Sequence, residues 1–128
     1  MIRQSLPASL AMGVALLLCP FAASAKVPPK QVAPSFNCAN ARPGSIDTVI
    51  CASRELSMLD RSMAQDYRRA QTETPRATLP ELWEEQREFI ANRNLCMNDR
   101  RTRHACIAFS YESRIERLGE WIDGTALD

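Results

Sequence analysis

The chain has a single histidine, His104, and no pair of cysteines spaced CxxC in its 128 residues. No second base lies near that histidine in sequence, and there is no nucleophile elbow and no glycine-rich phosphate loop. No zinc-type spacing is present, and without CxxCH a c-type haem is excluded. The sequence therefore reads as non-enzymatic, with no cofactor and no metal. Strong charge of one sign is also missing. The formal net charge is +1, so no global field argues for nucleic acid or an anionic membrane. No segment alternates with a period of two, so no strand is expected. There is no internal repeat.

Long apolar runs are scarce as well. The exception is Leu10 to Ala23, broken only by Pro20 and too short to span a bilayer comfortably. Arg3 precedes it, and Ala23-Ser24-Ala25 follows with small residues at minus three and minus one. This is the pattern of a cleaved signal peptide over residues 1–25. Cys19 follows three leucines rather than the small residue that a lipoprotein site wants. Cleavage after Ala25 would release a periplasmic or secreted chain without stable membrane insertion.

The mature chain holds four cysteines, Cys38, Cys51, Cys96 and Cys106. In a small exported domain an even count reads as two disulfides. Its cations are 13 Arg against 2 Lys, a bias toward planar, multi-donor contacts.

Residues 26–35 carry Pro28, Pro29 and Pro34 and no apolar period, and read as an extended leader. One domain, 36–123, follows. Ser45 is a candidate helix cap with Asp47 in the first turn. The stripe Ile50, Leu56, Leu59, Met63, Tyr67 and Ala70 predicts one helix running to about Thr72, closed by Pro75. Thr78 and Glu81 form a candidate capping box for a second helix. Its seam is Leu79, Leu82, Gln86, Phe89, Arg93 and Cys96, widened by Trp83 and Ile90. A polar, basic loop from Met97 to Arg103 follows, with Thr102 a possible cap. The third stripe is Ile107, Tyr111, Ile115, Leu118 and Ile122, ended by Gly124. The expected fold is all-α: a small three-helix bundle, a helical hairpin plus a third helix, stapled by two disulfides. The hairpin brings all four cysteines to one end. Local pairing, Cys38–Cys51 and Cys96–Cys106, is favoured; Cys51–Cys96 with Cys38–Cys106 stays open.

Asp60, Gln86, Arg93 and Arg114 lie on or beside apolar stripes, so each needs a partner once buried. A structural cluster is expected in which Asp60 accepts from Arg93 or Arg114, joined by Gln86 or Tyr111. Glu81, Glu84, Glu85 and Glu88 recur at helical spacing and read as a solvated face, partly offset by Arg87.

Taken together, Phe36-Asn37-Cys38, Ile50-Cys51, Leu56, Leu59-Asp60, Tyr67, Ala70, Leu82, Gln86, Arg93, Cys96, Cys106, Tyr111, Arg114-Ile115 and Leu118 resemble the LprI-like lysozyme inhibitor family. The likeness covers about residues 36–118. Phe89 stands where that family usually has tryptophan, and the interval between Cys96 and Cys106 is longer and more basic than is usual there. The resemblance implies an exported helical protein that inhibits lysozyme by occluding its cleft. Such a cleft holds two carboxylates, which a rigid loop bearing Arg, His or hydroxyl groups can occupy. Asn98, Arg100, Arg101, Arg103 and His104 are the candidate target-binding loop. Ala39 to Ser45 is the second candidate surface. The alternative reading is a non-enzymatic periplasmic interaction or assembly module that binds an envelope protein. Nothing in the residues specifies the oligomeric state.

Overall fold

The computed structural model describes residues 31–128. The signal segment 1–25 and residues 26–30 of the leader lie outside them. Among the described residues the chain is all-helical. Its elements are α1 (Ile46–Ala52), α2 (Arg54–Glu73), α3 (Leu79–Leu95) and α4 (Arg103–Asp123), with short 3-10 turns at Cys38–Asn40 and Cys96–Asn98. None of these helices is long and apolar enough to cross a membrane.

The single first helix expected from the stripe is in fact two helices. Ser53 breaks it with an extended backbone, φ −116° and ψ 120°. The apolar spacing contains the reason. Ile50 and Leu56 are both fully buried, yet six residues carry a continuous helix about 240° past a whole turn, onto a different face. The break at Ser53 lets both side chains reach one core. The Ser53 hydroxyl then caps α2 by accepting from the Leu56 N–H at 3.2 Å. The buried Ser57 hydroxyl donates back to the Ile50 carbonyl at 2.9 Å, so the ends on both sides of the break are satisfied. Ser53→Ala should lower stability by about 1 kcal/mol, read as a parallel shift of the urea midpoint with the slope unchanged.

The other expected caps mark the boundaries without making the bonds. Ser45, Thr78 and Thr102 form no side-chain cap bond. Thr78 instead donates to the Pro75 carbonyl at 3.1 Å and Thr102 to Asp99 at 3.1 Å. The Thr78 hydroxyl is thus committed to the preceding turn, so it does not complete the expected capping box with Glu81. Gly124 ends α4 in the left-handed region, φ 78°. The Thr125 N–H bonds the Glu120 carbonyl at 2.9 Å and the Gly124 N–H bonds that of Trp121 at 3.4 Å, the two linked bonds of a glycine-closed helix end.

The core gathers around α4, which packs along both α2 and α3. Its inward face is Ile107, Tyr111, Arg114, Leu118 and Trp121, all buried. The expected stripe had Ile115 and Ile122 instead, and both are only half-buried. The helix is rotated so that Arg114 and Trp121 face inward. From α2 come Leu56, Asp60, Met63 and Ala70, and from α3 come Leu82, Gln86 and Phe89. Trp83 and Ile90, expected to widen the α3 seam, are 43% and 41% exposed.

The disulfides are Cys38–Cys51 and Cys96–Cys106, with Cα separations of 5.9 and 5.6 Å. Each contributes about 2–4 kcal/mol, a large share for a core of this size. The leader is pinned where it meets the bundle. Pro34 is buried, and the Ser35 N–H donates to Asp60 Oδ2 at 2.6 Å.

Candidate functional site

The five residues expected to form one polar cluster separate into two. In the first, Asp60 Oδ1 accepts from the Tyr111 hydroxyl at 2.9 Å, and Arg93 Nη1 donates to that same hydroxyl at 2.7 Å. Neither Arg93 nor Arg114 is among the hydrogen-bond partners of Asp60; Tyr111 stands between Asp60 and Arg93, with the Ser35 N–H on the other carboxylate oxygen. The guanidinium of Arg93 also lies over the rings of Phe89 and Tyr111, at 5.6 and 5.5 Å. Burial pushes the Tyr111 hydroxyl above its ordinary range, outweighing the opposing pull of Arg93. It therefore remains a donor across the accessible pH range.

The second cluster is built on Glu85, which the charge spacing assigned to a solvated face. The Arg114 Nε donates to Gln86 at 3.0 Å and its Nη1 to Glu85 at 2.8 Å. Arg117 Nη2 and Trp121 Nε1 reach the same carboxylate at 2.7 and 2.8 Å. Arg114 is drawn to Glu85 because α4 presents Arg114, Arg117 and Trp121 on one flank opposite α3. Burial raises the Glu85 carboxyl, but the bonds from Arg117, Trp121 and Arg114 outweigh it and hold it below its ordinary value of 4.5. A lowered folded pKa contributes stability that is fully present above the unfolded value and is lost as pH falls through the folded one. The wild-type melting temperature should therefore fall below pH 4.5, and Glu85→Gln should fall less steeply over that window. Parallel curves for the two proteins would remove Glu85 from the acid response.

The candidate loop is held from both ends. Asp99 accepts from the Arg101 N–H at 2.9 Å and from Thr102, which folds the tip into a tight turn. Arg103 reaches back to the Met97 carbonyl at 2.9 Å. His104 Nε2 lies 3.0 Å from the Ser53 hydroxyl and 3.6 Å from Glu55, which ties α4 to the junction of α1 and α2. These three side chains do not form a catalytic triad. Hydroxyl and carboxylate approach the same ring nitrogen, and the hydroxyl is engaged as a helix cap. Asn98, Arg100 and Arg101 are exposed. Arg100 and Arg101 have no side-chain partner among the described residues. No group of three or more His, Cys, Asp or Glu there could hold a metal ion.

The loop closed by Cys38–Cys51 lies beside this region. Arg42, Ser45 and Ile46 share a pocket of about 390 Å³ with Arg93, Asn94 and Met97. Both disulfide-bounded loops thus sit at one end of the bundle, and that end is rich in guanidinium groups. Against this geometry, a family model described as lysozyme inhibitor LprI matches residues 38–118, from the first disulfide cysteine to the last buried leucine of α4.

The chain belongs to the LprI family. No curated protein and no solved structure matches it. The LprI match covers both disulfides, the Asp60–Tyr111–Arg93 chain and the Glu85 cluster, but stops before Trp121. Membership and the two disulfides are consistent with an extracytoplasmic location. Sequence reasoning missed Glu85, Arg117 and Trp121 as members of the second cluster. The available signal was the three-four spacing of Ile107, Tyr111, Arg114, Leu118 and Trp121, which is as regular as the stripe containing Ile115 and Ile122.

Proposed function

We propose that the protein is an exported inhibitor of lysozyme-type muramidases that blocks the substrate cleft with the turn between Cys96 and Cys106. Family membership supports the target class. One observation carries the choice of surface: Arg100 and Arg101 are exposed at the tip of a disulfide-closed turn, while Asp99, Arg103 and His104 are spent holding that turn on the bundle. Two donor-rich guanidinium groups on a restrained support suit a cleft containing two carboxylates. The restraint lowers the ordering cost of docking. Inhibition needs no catalysis, cofactor or metal. Residues 1–25 act as the signal peptide, and the mature chain works in the periplasm or outside the cell.

The interaction-module reading has one observation of its own. Phe109 is 70% exposed at a groove of about 490 Å³ between α3 and α4, where an envelope protein could dock an apolar side chain. Titrating the oxidised mature protein against lysozymes of several types separates the two readings. Saturable inhibition at sub-micromolar concentration supports the inhibitor. No effect on any lysozyme, together with saturable binding elsewhere that Phe109→Ser abolishes, supports the module.

A further inference from the structure

The outer face of α2 carries a row of guanidinium groups that the fold does not use. Arg54, Arg61 and Arg68 are exposed, and none has a side-chain hydrogen bond or ion pair among the described residues. Each is seven residues from the next, about 10.5 Å along the axis and about 20° short of two turns. The three therefore stand nearly in line. Helix neighbours three and four positions away are the usual partners for such cations. Within α2 those neighbours are Ser57, Met58, Ala64, Gln65, Gln71 and Thr72, all uncharged. Elsewhere the same spacing is used for pairing, in Glu84–Arg87 and Arg117–Glu120. Glu55, Asp66 and Glu73 lie together on a flank of α2 about 120° round from the row. Glu112 of α4 adjoins that flank, in a groove with Arg54, Glu55 and Leu59.

This segregation selects the shape of a partner. A flat anionic surface that covers row and flank meets four cations, counting Arg69, and four carboxylates, so it gains little. A narrow strand laid along the row meets the cations alone. Between the arginines the same face offers Met58, 48% exposed, and the exposed Gln65 amide, which suit the apolar face and the hydroxyls of a sugar ring. The one aromatic residue of α2, Tyr67, is half-buried on the opposite side, so nucleic-acid bases find no aromatic platform along the row.

We propose that this row binds an anionic glycan strand whose repeats carry peptide carboxylates, the polymer that muramidases cut. Its step of about 10.5 Å is close to the length of one disaccharide of such a strand. The choice of polymer rests on the inhibitor reading; the row itself does not. The Arg100–Arg101 turn is a separate surface, so a molecule held on the wall by α2 keeps that turn available for the enzyme. The inhibitor is thereby concentrated on the substrate that it protects.

The test is cosedimentation of the oxidised mature protein with insoluble peptidoglycan sacculi, with anionic phospholipid vesicles as a second arm. Binding to sacculi should be saturable and should weaken with added salt. The triple variant Arg54→Gln, Arg61→Gln, Arg68→Gln should bind about tenfold more weakly. Its melting temperature and its inhibition of muramidase on soluble fragments should stay unchanged. Arg61→Gln should weaken binding more than Arg69→Gln, which removes the same charge beside the acidic flank. No binding by the wild type, wild-type binding by the triple variant, or equal losses in the two single variants overturns the row. Tighter binding to vesicles than to sacculi overturns the glycan assignment. If the wild type inhibits no muramidase but binds sacculi through the row, the inhibitor reading falls and the docking surface stands.

Discussion

Glu85→Ala is expected to lower the melting temperature of the oxidised protein by roughly 15 °C. Glu85 is the shared acceptor for Arg114, Arg117 and Trp121. The Arg114 side chain is only 4% exposed, so removing its carboxylate leaves a cation in the interior with Gln86 as its remaining acceptor. Breaking a buried pair from one side costs about 3–5 kcal/mol. Glu85 is about a quarter exposed at 26%, which places the cost near the lower end. For a domain of this size each kcal/mol moves the midpoint by about 4–8 °C. Glu84 is the internal comparison, since it pairs with Arg87 on the surface where both side chains are more than half exposed. Glu84→Ala should leave the midpoint essentially where it was. Thermal unfolding followed by circular dichroism checks both. Equal effects for the two variants would show that Glu85 is a surface charge like its neighbour.

The second large effect concerns activity rather than stability. Replacing Arg100 and Arg101 together with alanine should weaken muramidase inhibition about a hundredfold, from two lost charge-assisted contacts. The melting temperature should not change, because neither side chain has a partner among the described residues. Arg103→Ala should behave in the opposite way. Its guanidinium holds the Met97 carbonyl, so its loss loosens the turn and lowers stability more than it lowers inhibition. The wild-type inhibition constant should also weaken with added salt, since exposed cations lose their attraction as the screening length shortens. An unchanged inhibition constant in the double variant would move the contact surface away from this turn.

Much of this architecture could be read from the residues. The apolar stripes located α3 and α4 to within a residue or two, and Gly124 and Pro75 marked two ends. Four cysteines in a chain read as exported implied the staples, and the favoured local pairing is the one that the structure contains. Other features depended on how helices meet. The break at Ser53 was visible as the six-residue gap between Ile50 and Leu56, but a serine also fits a helix interior, so only a shared core made the break necessary. The rotation of α4 was ambiguous because Arg114 and Trp121 alternate with Ile115 and Ile122 at the same spacing. Hydropathy favours the isoleucines. The carboxylate of Glu85 across the interface reverses that preference, and no local pattern on α3 separates Glu85 from Glu81, Glu84 and Glu88. The cluster expected around Asp60 splits in two: Tyr111 and Arg93 join Asp60, whereas Gln86 and Arg114 gather at Glu85. Tyr111 is long enough to stand between Asp60 and Arg93, and the leader supplies the Ser35 N–H as a donor that side-chain reasoning does not count.

The central claim is that the protein occupies the cleft of a muramidase, and steady-state kinetics tests it most directly. Hydrolysis of soluble peptidoglycan fragments is measured over a range of substrate concentrations with increasing amounts of the oxidised mature protein. Cleft occlusion predicts a rising apparent KM with kcat unchanged, because substrate and inhibitor exclude one another. A fall in kcat at constant KM, or no inhibition of any muramidase, would contradict it.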